Sequence, residues 1–399
     1  MSEEIRESAA SENNCDRMKS MENWMKELTL EESVAYLQEK AVIWDFPRLL
    51  SEISASDKPP GQRLVNKFLE YDGEDEEKTS RKIRNWVYGR NLPGNREELF
   101  KICFALELDE KKSGYILGTT AENTIHYRNP KELIYAYCLN NRIDYPQAVE
   151  LVKKLWKEDL PSETLECKEY VRNTGRSEKR GVMTASIRNE FKRVKSESQL
   201  EQLLKERRED FGFHHNTAYR KFRKMLDFLV FPPNGADNLP EERDYSVERV
   251  VREYLRMGMP YDRNSGQNTR LQKEIKRHWP TEKTITGMCN RTVDVNRKTL
   301  LLLYVATEGM EEADEELAES AGEHYRKIDI MLADCGMAQL NIHSPFDYLV
   351  LQAVRRQNEN DYMSLRLEWM IRKLFGDKAA YVDFPDRAKK KVCCEANKK

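Results

Sequence analysis

Glycine and proline are scarce in this chain, at 17 and 14 of 399 residues. Both residue types interrupt helices, so their scarcity leaves room for many uninterrupted helical stretches. The alternation of apolar and polar residues that indicates half-buried strands is nearly absent. We therefore predict an all-α protein built from several helical modules.

Cysteine is also sparse and has no metal-binding spacing. The eight cysteines include no C-x-x-C pair, and Cys393 and Cys394 are adjacent. Zinc sites and disulfide scaffolds need characteristically spaced cysteines, so neither is expected. P-loop and Rossmann glycine fingerprints are missing too, and we expect no metal, no cofactor and no enzyme activity.

Long apolar runs and a targeting segment are lacking as well. No apolar stretch reaches the about 20 residues that a transmembrane helix needs. The chain starts MSEEIRESAASENN, which is polar and acidic rather than signal-like. These features predict a cytoplasmic protein with no membrane partner.

The chain has almost no excess of charge of either sign. Its 67 Lys and Arg residues nearly balance 69 Asp and Glu residues, which gives a formal net charge of −2. Bulk electrostatic attraction to nucleic acid is therefore excluded, and any cationic surface must be local. The length predicts two to four domains.

The stretch from residue 79 to 108 has the clearest helical pattern, TSRKIRNWVYGRNLPGNREELFKICFALEL. Ile83, Trp86 and Val87 fall on one face of a first helix, which Gly89 is suited to end. After a Pro-Gly turn, a second apolar stripe follows at Leu99, Ile102, Cys103 and Leu106. The pattern predicts two helices, the first with an apolar inner face and a basic outer face. A helix of that kind suits the major groove of DNA.

These features resemble the lambda-repressor-like (XRE-type) helix-turn-helix family over roughly residues 46–117. The residues that carry the resemblance are Thr79 at the start of the helix, Trp86 within it, Gly89 at its end, Pro93 four residues later, and the Ala105, Leu106 and Leu108 pattern of the next helix. The resemblance implies a DNA-binding transcriptional regulator or an accessory DNA-binding protein. Its helix Thr79–Tyr88 would read the major groove of double-stranded DNA.

The resemblance also implies which side chains contact DNA. Thr79 and Ser80 suit a phosphate at a helix N-terminus. Arginine and asparagine make bidentate contacts to guanine and adenine edges, and other arginines suit the DNA backbone. The predicted DNA-binding residues are Lys78, Thr79, Ser80, Arg81, Lys82, Arg84, Asn85, Arg90 and Arg96. No catalytic residue is assigned.

A later stretch repeats part of the same pattern. Thr284, Met288, Asn296, Arg297, Leu300, Leu303 and Ala306 parallel, in order, Thr79, Ile83, Asn95, Arg96, Leu99, Ile102 and Ala105. The two stretches align if the turn between the helices is about four residues shorter in the second. This predicts a second, degenerate helix-turn-helix with Lys283, Asn290 and Arg291 as contacts. Chance similarity between two amphipathic helices is the alternative.

Composition and periodicity also predict the division into segments. We predict a disordered tail (1–17), a helix-turn-helix domain with leading helices (18–119), a helical hairpin packed on it (125–158), a linker (159–181), a helical segment (182–235), a second helix-turn-helix-like domain (243–310), a C-terminal helical hairpin (311–376) and a basic tail (377–399). The C-terminal helices would form a homodimer, bind a protein partner or simply pack into a core.

Two other functions stay open from the sequence. The acidic segment YDGEDEE before the basic helix would repel phosphate, which favours a helical scaffold for protein–protein interaction. Arg208 and His214 resemble the R-x4-6-H motif of HEPN-type ribonucleases, which would make the protein a ribonuclease or a defence effector. There the histidine would be the acid/base group and the arginine would stabilise charge on phosphate. A loop and helix-cap role is the simpler interpretation of both residues.

Overall fold

The computed structural model describes residues 28–39, 41, 45–54, 60–73, 75–121, 124–156, 184–212, 215–230, 246–260, 268–309, 321–355 and 361–376. Within these ranges every regular element is helical, so the predicted all-α class is confirmed. No helix in the same ranges is both long enough and apolar enough to cross a membrane.

Eighteen α-helices follow one another along the described ranges. They are α1 (Leu30–Glu39), α2 (Phe46–Ile53), α3 (Pro60–Asp72), α4 (Glu76–Val87), α5 (Arg96–Ala105), α6 (Glu110–Ala121), α7 (Pro130–Asn140), α8 (Tyr145–Leu155), α9 (Thr184–Phe191), α10 (Glu197–Glu206), α11 (Asn216–Val230), α12 (Val247–Val250), α13 (Arg270–Lys276), α14 (Glu282–Cys289), α15 (Arg297–Ala306), α16 (Ala321–Asp334), α17 (Pro345–Ala353) and α18 (Met363–Phe375). A 3-10 turn, Arg208–Asp210, follows α10, and a π-helical turn, Val251–Leu255, continues α12.

The helices pack around two apolar cores. Helices α2 to α10 fill the first core, which includes Trp86, Phe100 and Tyr135. Helix α1 and helices α11 to α18 fill the second, which includes Phe222 and Tyr348. We call the two groups of helices the N-terminal unit and the C-terminal unit.

The first described helix does not belong to the unit that follows it in sequence. Val34 and Leu37 of α1 enter the second core, and Tyr36 stacks on Tyr348 with ring centroids 5.8 Å apart. The predicted helix-turn-helix domain 18–119 therefore does not hold together as one body with its leading helix. An apolar stripe shows that a helix is buried but not which surface buries it.

Other predicted boundaries also differ from the cores. The segment 182–235 is divided, since α9 and α10 join the first core and α11 joins the second. The predicted segments 243–310 and 311–376 share one core, and the latter contains the three helices α16, α17 and α18 rather than a hairpin. The predicted tails and the linker 159–181 lie outside the described residues.

An ion pair with a buried carboxylate fixes the start of α5 in the N-terminal unit. Arg96, the first residue of α5, donates from Nε to Oε1 of Glu132 at 2.5 Å and from Nη2 to Oε2 at 2.8 Å. The backbone N–H of His126 donates to the same carboxylate at 2.7 Å, and Arg96 also donates to the carbonyl of Thr124. The pair thus joins α5 to the segment that leads into α7. We call this ion pair, together with its backbone partners, the lock.

The C-terminal unit has the same lock at the matching positions. Arg297, the first residue of α15, donates to the two carboxylate oxygens of Asp347 at 2.7 Å each. The N–H of Asn341, six positions before the acid, donates to Asp347 at 2.9 Å, and Arg297 also donates to the carbonyl of Gln339. Since residue types, helix positions and backbone partners all correspond, the segments from α4 to α7 and from α14 to α17 are copies of one arrangement.

The hydrogen bonds after α4 and α14 also correspond and fix the alignment of these two helices. Four successive N–H groups after α4, at 88–91, donate to the carbonyls of residues 84, 86, 85 and 85. The N–H groups at 290–293 donate in the same order to residues 286, 288, 287 and 287. Trp86 therefore matches Met288, and Thr79 matches Thr281 rather than Thr284. The turn in the second copy is one residue shorter, not four.

We predict that Arg297→Met lowers the free energy of unfolding by about 3–5 kcal/mol, because it leaves the carboxylate of Asp347 buried without its partner. The Arg297 and Asp347 side chains are only 7% and 3% exposed. Urea unfolding followed by circular dichroism measures the change. Lys205→Met, which removes an exposed ion pair with Glu201 on α10, is the control and should leave the midpoint unchanged. An Arg297→Met midpoint equal to the wild-type value would contradict the assignment of a lock.

Candidate nucleic-acid interface

Helix α4 is capped by an aspartate at its N-terminal end and by a glycine at its C-terminal end. Asp75 accepts a hydrogen bond from the N–H of Lys78 at 3.0 Å, so the helix begins at Glu76 and not at Thr79 as the sequence pattern predicted. Acidic residues in this first turn interact favourably with the helix dipole. At the other end Gly89 has φ +66°, which confirms it as the residue that ends the helix. A Cβ added to Gly89 would lie 2.9 Å from Cγ of Pro47.

The inner face of α4 is anchored in the first core. Ile83 and Trp86 are buried, and the indole of Trp86 packs edge-on against Phe68 with ring centroids 5.6 Å apart. Leu99 and Leu106 of the following segment are buried in the same core. The predicted inward face is therefore confirmed, and α4 has a fixed orientation about its own axis.

The outer face of α4 carries a stripe of exposed side chains. Lys78, Arg81 and Arg84 are exposed, and Tyr88, next along the same face, is 68% exposed. The guanidinium carbon of Arg90 lies 5.9 Å from the centre of the Tyr88 ring. Arg81 and Arg84 form no ion pair with any residue in the described part of the chain. The stripe therefore presents free guanidinium groups with an aromatic ring at its end.

Lys82, Ser80 and Asn85 sit at the edges of the stripe and are only partly exposed. The Nζ of Lys82 lies 5.3 Å from the centre of the Phe68 ring, and 3.6 Å from Oε1 of Glu98. Its aliphatic chain covers the core, so replacing it would disturb packing as well as charge. A helical pattern alone ranks all basic residues alike and does not reveal this difference.

Two of the predicted DNA contacts are wrong because the structure uses these residues internally. Thr79 is 1% exposed, so its hydroxyl cannot reach a phosphate. Arg96 is held in the lock with Glu132. Burial opposes the charged form of Arg96, but the Glu132 carboxylate outweighs this effect and raises the pKa of the guanidinium above its ordinary value.

The corresponding face of α14 is much less cationic. Lys283 and Asn290 are exposed, but Arg291 donates a hydrogen bond to Asn216, and its guanidinium lies 4.8 Å from the centre of the Tyr219 ring. Arg291 is therefore not available for DNA, and that prediction is wrong. At the position that matches Arg84, α14 has Thr286.

The described residues do not bring together a catalytic arginine–histidine pair for the ribonuclease hypothesis. Arg208 is exposed on the short 3-10 turn, and His214 lies outside the described residues. Within the described ranges no group of three or more His, Cys, Asp or Glu side chains has a metal-binding arrangement.

Sequence reasoning left Tyr88 out of the predicted contact set. Its spacing, four residues after Arg84 and seven after Arg81, is the signal that places it on the same stripe.

Comparisons of the chain with protein-family models, with curated proteins and with solved structures gave no match. The candidate site therefore rests on the geometry of α4.

We predict that Thr79→Val keeps the protein folded and equally or more stable, with a gain of up to about 1 kcal/mol. The Thr79 hydroxyl is buried and has no hydrogen-bond partner among the described residues, and valine has nearly the same shape. Thermal and urea unfolding measure the change. If Thr79 were a surface contact, the variant would keep its stability but lose DNA affinity; loss of affinity would thus contradict its placement in the core.

Proposed function

We propose that this protein binds double-stranded DNA through the outer face of α4, which lies in the major groove. The observation that supports the proposal is the pair of exposed guanidinium groups, Arg81 and Arg84, on a helix whose opposite face is anchored by Trp86. Arginine is the side chain best suited to bidentate contact with guanine. A transcriptional regulator or an accessory DNA-binding protein would use such a helix.

The anchoring of α4 matters for affinity as well as for orientation. A helix that is already ordered loses little conformational entropy when it docks. Arg90, at the C-terminal end of the stripe, is placed to contact a phosphate beside the groove. Such contacts release counterions and make binding strongly dependent on salt.

The acids in the first turn of α4 restrict how the helix can approach DNA. Asp75, Glu76 and Glu77 are exposed at its N-terminal end and would repel phosphates. The proposed docking therefore uses the later turns, from Arg81 through Arg84 to Arg90. Of the two copies of this arrangement, only the N-terminal one carries the cationic stripe, so we assign the DNA contact to α4 and not to α14.

We predict that Arg81→Ala combined with Arg84→Ala weakens binding to a selected duplex at least about tenfold, since each bidentate base contact is worth about 1–3 kcal/mol. The target is first obtained by enriching bound duplexes from a random pool with the wild-type protein. Fluorescence anisotropy at several salt concentrations then gives the affinity. Any phosphate contact that is lost lowers the slope of log affinity against log salt by about 0.9.

The matched control is Lys111→Ala combined with Lys112→Ala, which removes the same charge from two exposed residues of α6. It should retain most of the affinity. Equal losses in both double variants would mean that only overall charge matters and would contradict a specific interface on α4. If no duplex is enriched at low salt, the proposal fails and the protein-interaction scaffold becomes the better account.

A further inference from the structure

Two buried histidines stack on each other where the two units meet. His126 lies in the segment of the N-terminal unit that leads into α7, and His215 immediately precedes α11 of the C-terminal unit. Their ring centroids are 3.7 Å apart and their planes differ by 20°. The residues are only 4% and 3% exposed, so the stack is shielded from water.

The C-terminal unit holds its histidine through one carboxylate. Nδ1 of His215 lies 2.5 Å from Oδ2 of Asp294, and the His215 N–H donates to Oδ1 at 3.0 Å. Asp294 belongs to the turn between α14 and α15. The stack therefore connects the N-terminal unit to α11 and to this turn at a single point.

The surroundings of the stack disfavour a positive charge on His126. Burial lowers the pKa of His126 well below its ordinary value, and His215, Arg96 and Arg128 add to this effect, whereas Asp294 opposes it. The Glu132 carboxylate also faces the segment, but its hydrogen bonds go to Arg96 and to the N–H of His126. Nε2 of both rings lacks a hydrogen-bond partner among the described residues. If Nε2 of His126 were protonated, its N–H would have no hydrogen-bond acceptor among the described residues.

Elsewhere the two units meet through neutral hydrogen bonds, through packing of α9 against α16, and through an ion pair between Asp45, at the N-cap of α2, and Arg270 of α13. The hydroxyl of Thr124 donates to the carbonyl of Gly336 at 2.7 Å, and the hydroxyls of Thr184 and Thr217 lie 3.3 Å apart. A net hydrogen bond of this type contributes only about 0.5–1.5 kcal/mol, and an ion pair whose arginine is 67% exposed contributes about 0–1 kcal/mol. A change at the histidine stack can therefore open the contact locally, around the stack.

We propose that the His126–His215 stack is a proton-sensitive latch between the two units. The latch is closed while His126 is neutral, because a neutral ring stacks on His215 and fills the buried space. When the solution becomes mildly acidic, protonation places positive charge in a site that already contains Arg96 and Arg128, and separation of the rings lets water solvate it. This inference does not depend on whether α4 binds DNA.

The direction of the effect follows from proton linkage. In an open state His126 is in contact with water and binds a proton near the ordinary histidine pKa of about 6.5. In the closed state His126 stays neutral, so the open state binds more protons below that pH. The closed latch is therefore fully stable above about pH 7.5 and loses stability as the pH falls through about 6.5.

Hydrogen exchange of the full chain, followed by mass spectrometry between pH 7.5 and 5.5, tests the latch. After correction for the intrinsic exchange rate, peptides covering 124–129 and 215–219 should exchange up to about tenfold faster for each pH unit below about 6.5. Peptides from the interior helices α5 and α15 should keep their rates. Exchange at 124–129 and 215–219 that does not change with pH would overturn the proposal.

Two variants separate the latch from general acid sensitivity. His126→Phe keeps a flat ring in the stack but removes the titrating group, so the pH response should disappear. His278→Asn removes an exposed histidine with φ +57° at the end of α13, where asparagine fits the backbone, and should leave the response intact. A full response in His126→Phe would overturn the proposal.

A wild-type measurement decides the matter if His126→Phe does not fold. The chain has six histidines, so their ring carbons can be followed individually by NMR in a ¹³C-labelled sample. The His126 signal should stay in its neutral form below about pH 6.5, where a free imidazole is already protonated, and should change together with the exchange at 124–129. Titration of His126 near pH 6.5 without faster exchange would overturn the proposal.

Discussion

The structure of each unit depends on one arginine–carboxylate pair whose acid is buried. A guanidinium group removed from water costs several kcal/mol unless a carboxylate and further acceptors meet it. Arg96 and Arg297 meet this requirement with Glu132 and Asp347. The segment before α7 therefore lies against the first turn of α5, and the segment before α17 lies against the first turn of α15. The ion pair also fixes where α5 and α15 begin. The position of each start in turn limits the length of the connection from α4 to α5 and from α14 to α15. The orientation of α4 and of α14 at the surface thus depends on an ion pair whose carboxylate is buried.

The two copies have kept this lock and changed what they present outside. The turn after each surface helix has the same hydrogen bonds, yet α4 exposes Arg81 and Arg84 where α14 has Lys283 and Thr286. In the second copy Arg291 is turned inward onto Tyr219, next to the histidine stack. We infer that one copy binds a ligand while the other supports contact between the units. This division of roles would explain how a nearly neutral chain presents a basic stripe on α4.

The sequence was sufficient where structure is decided locally. The spacing of Ile83 and Trp86 places both on the inner face, and Gly89 ends α4 because its φ is positive. It was insufficient where a residue's partner is distant. Nothing near Arg96 indicates that its carboxylate lies 36 positions away, and nothing in α1 indicates that it packs on Tyr348. Thr284 resembles Thr79 in residue type alone; the backbone hydrogen bonds, which sequence does not display, match Thr281 to it.

The central proposal is that the chain contains two copies of one arrangement and that, of the two, the first is the one that binds DNA. Photocrosslinking tests it most directly, with p-benzoylphenylalanine in place of Tyr88 and, in a second protein, in place of the equivalent Asn290. Both positions are exposed, and at Tyr88 the replacement keeps an aromatic ring. With an enriched duplex we predict a crosslink from position 88 and none from position 290. Equal crosslinking from both positions, or from position 290 alone, would contradict the account.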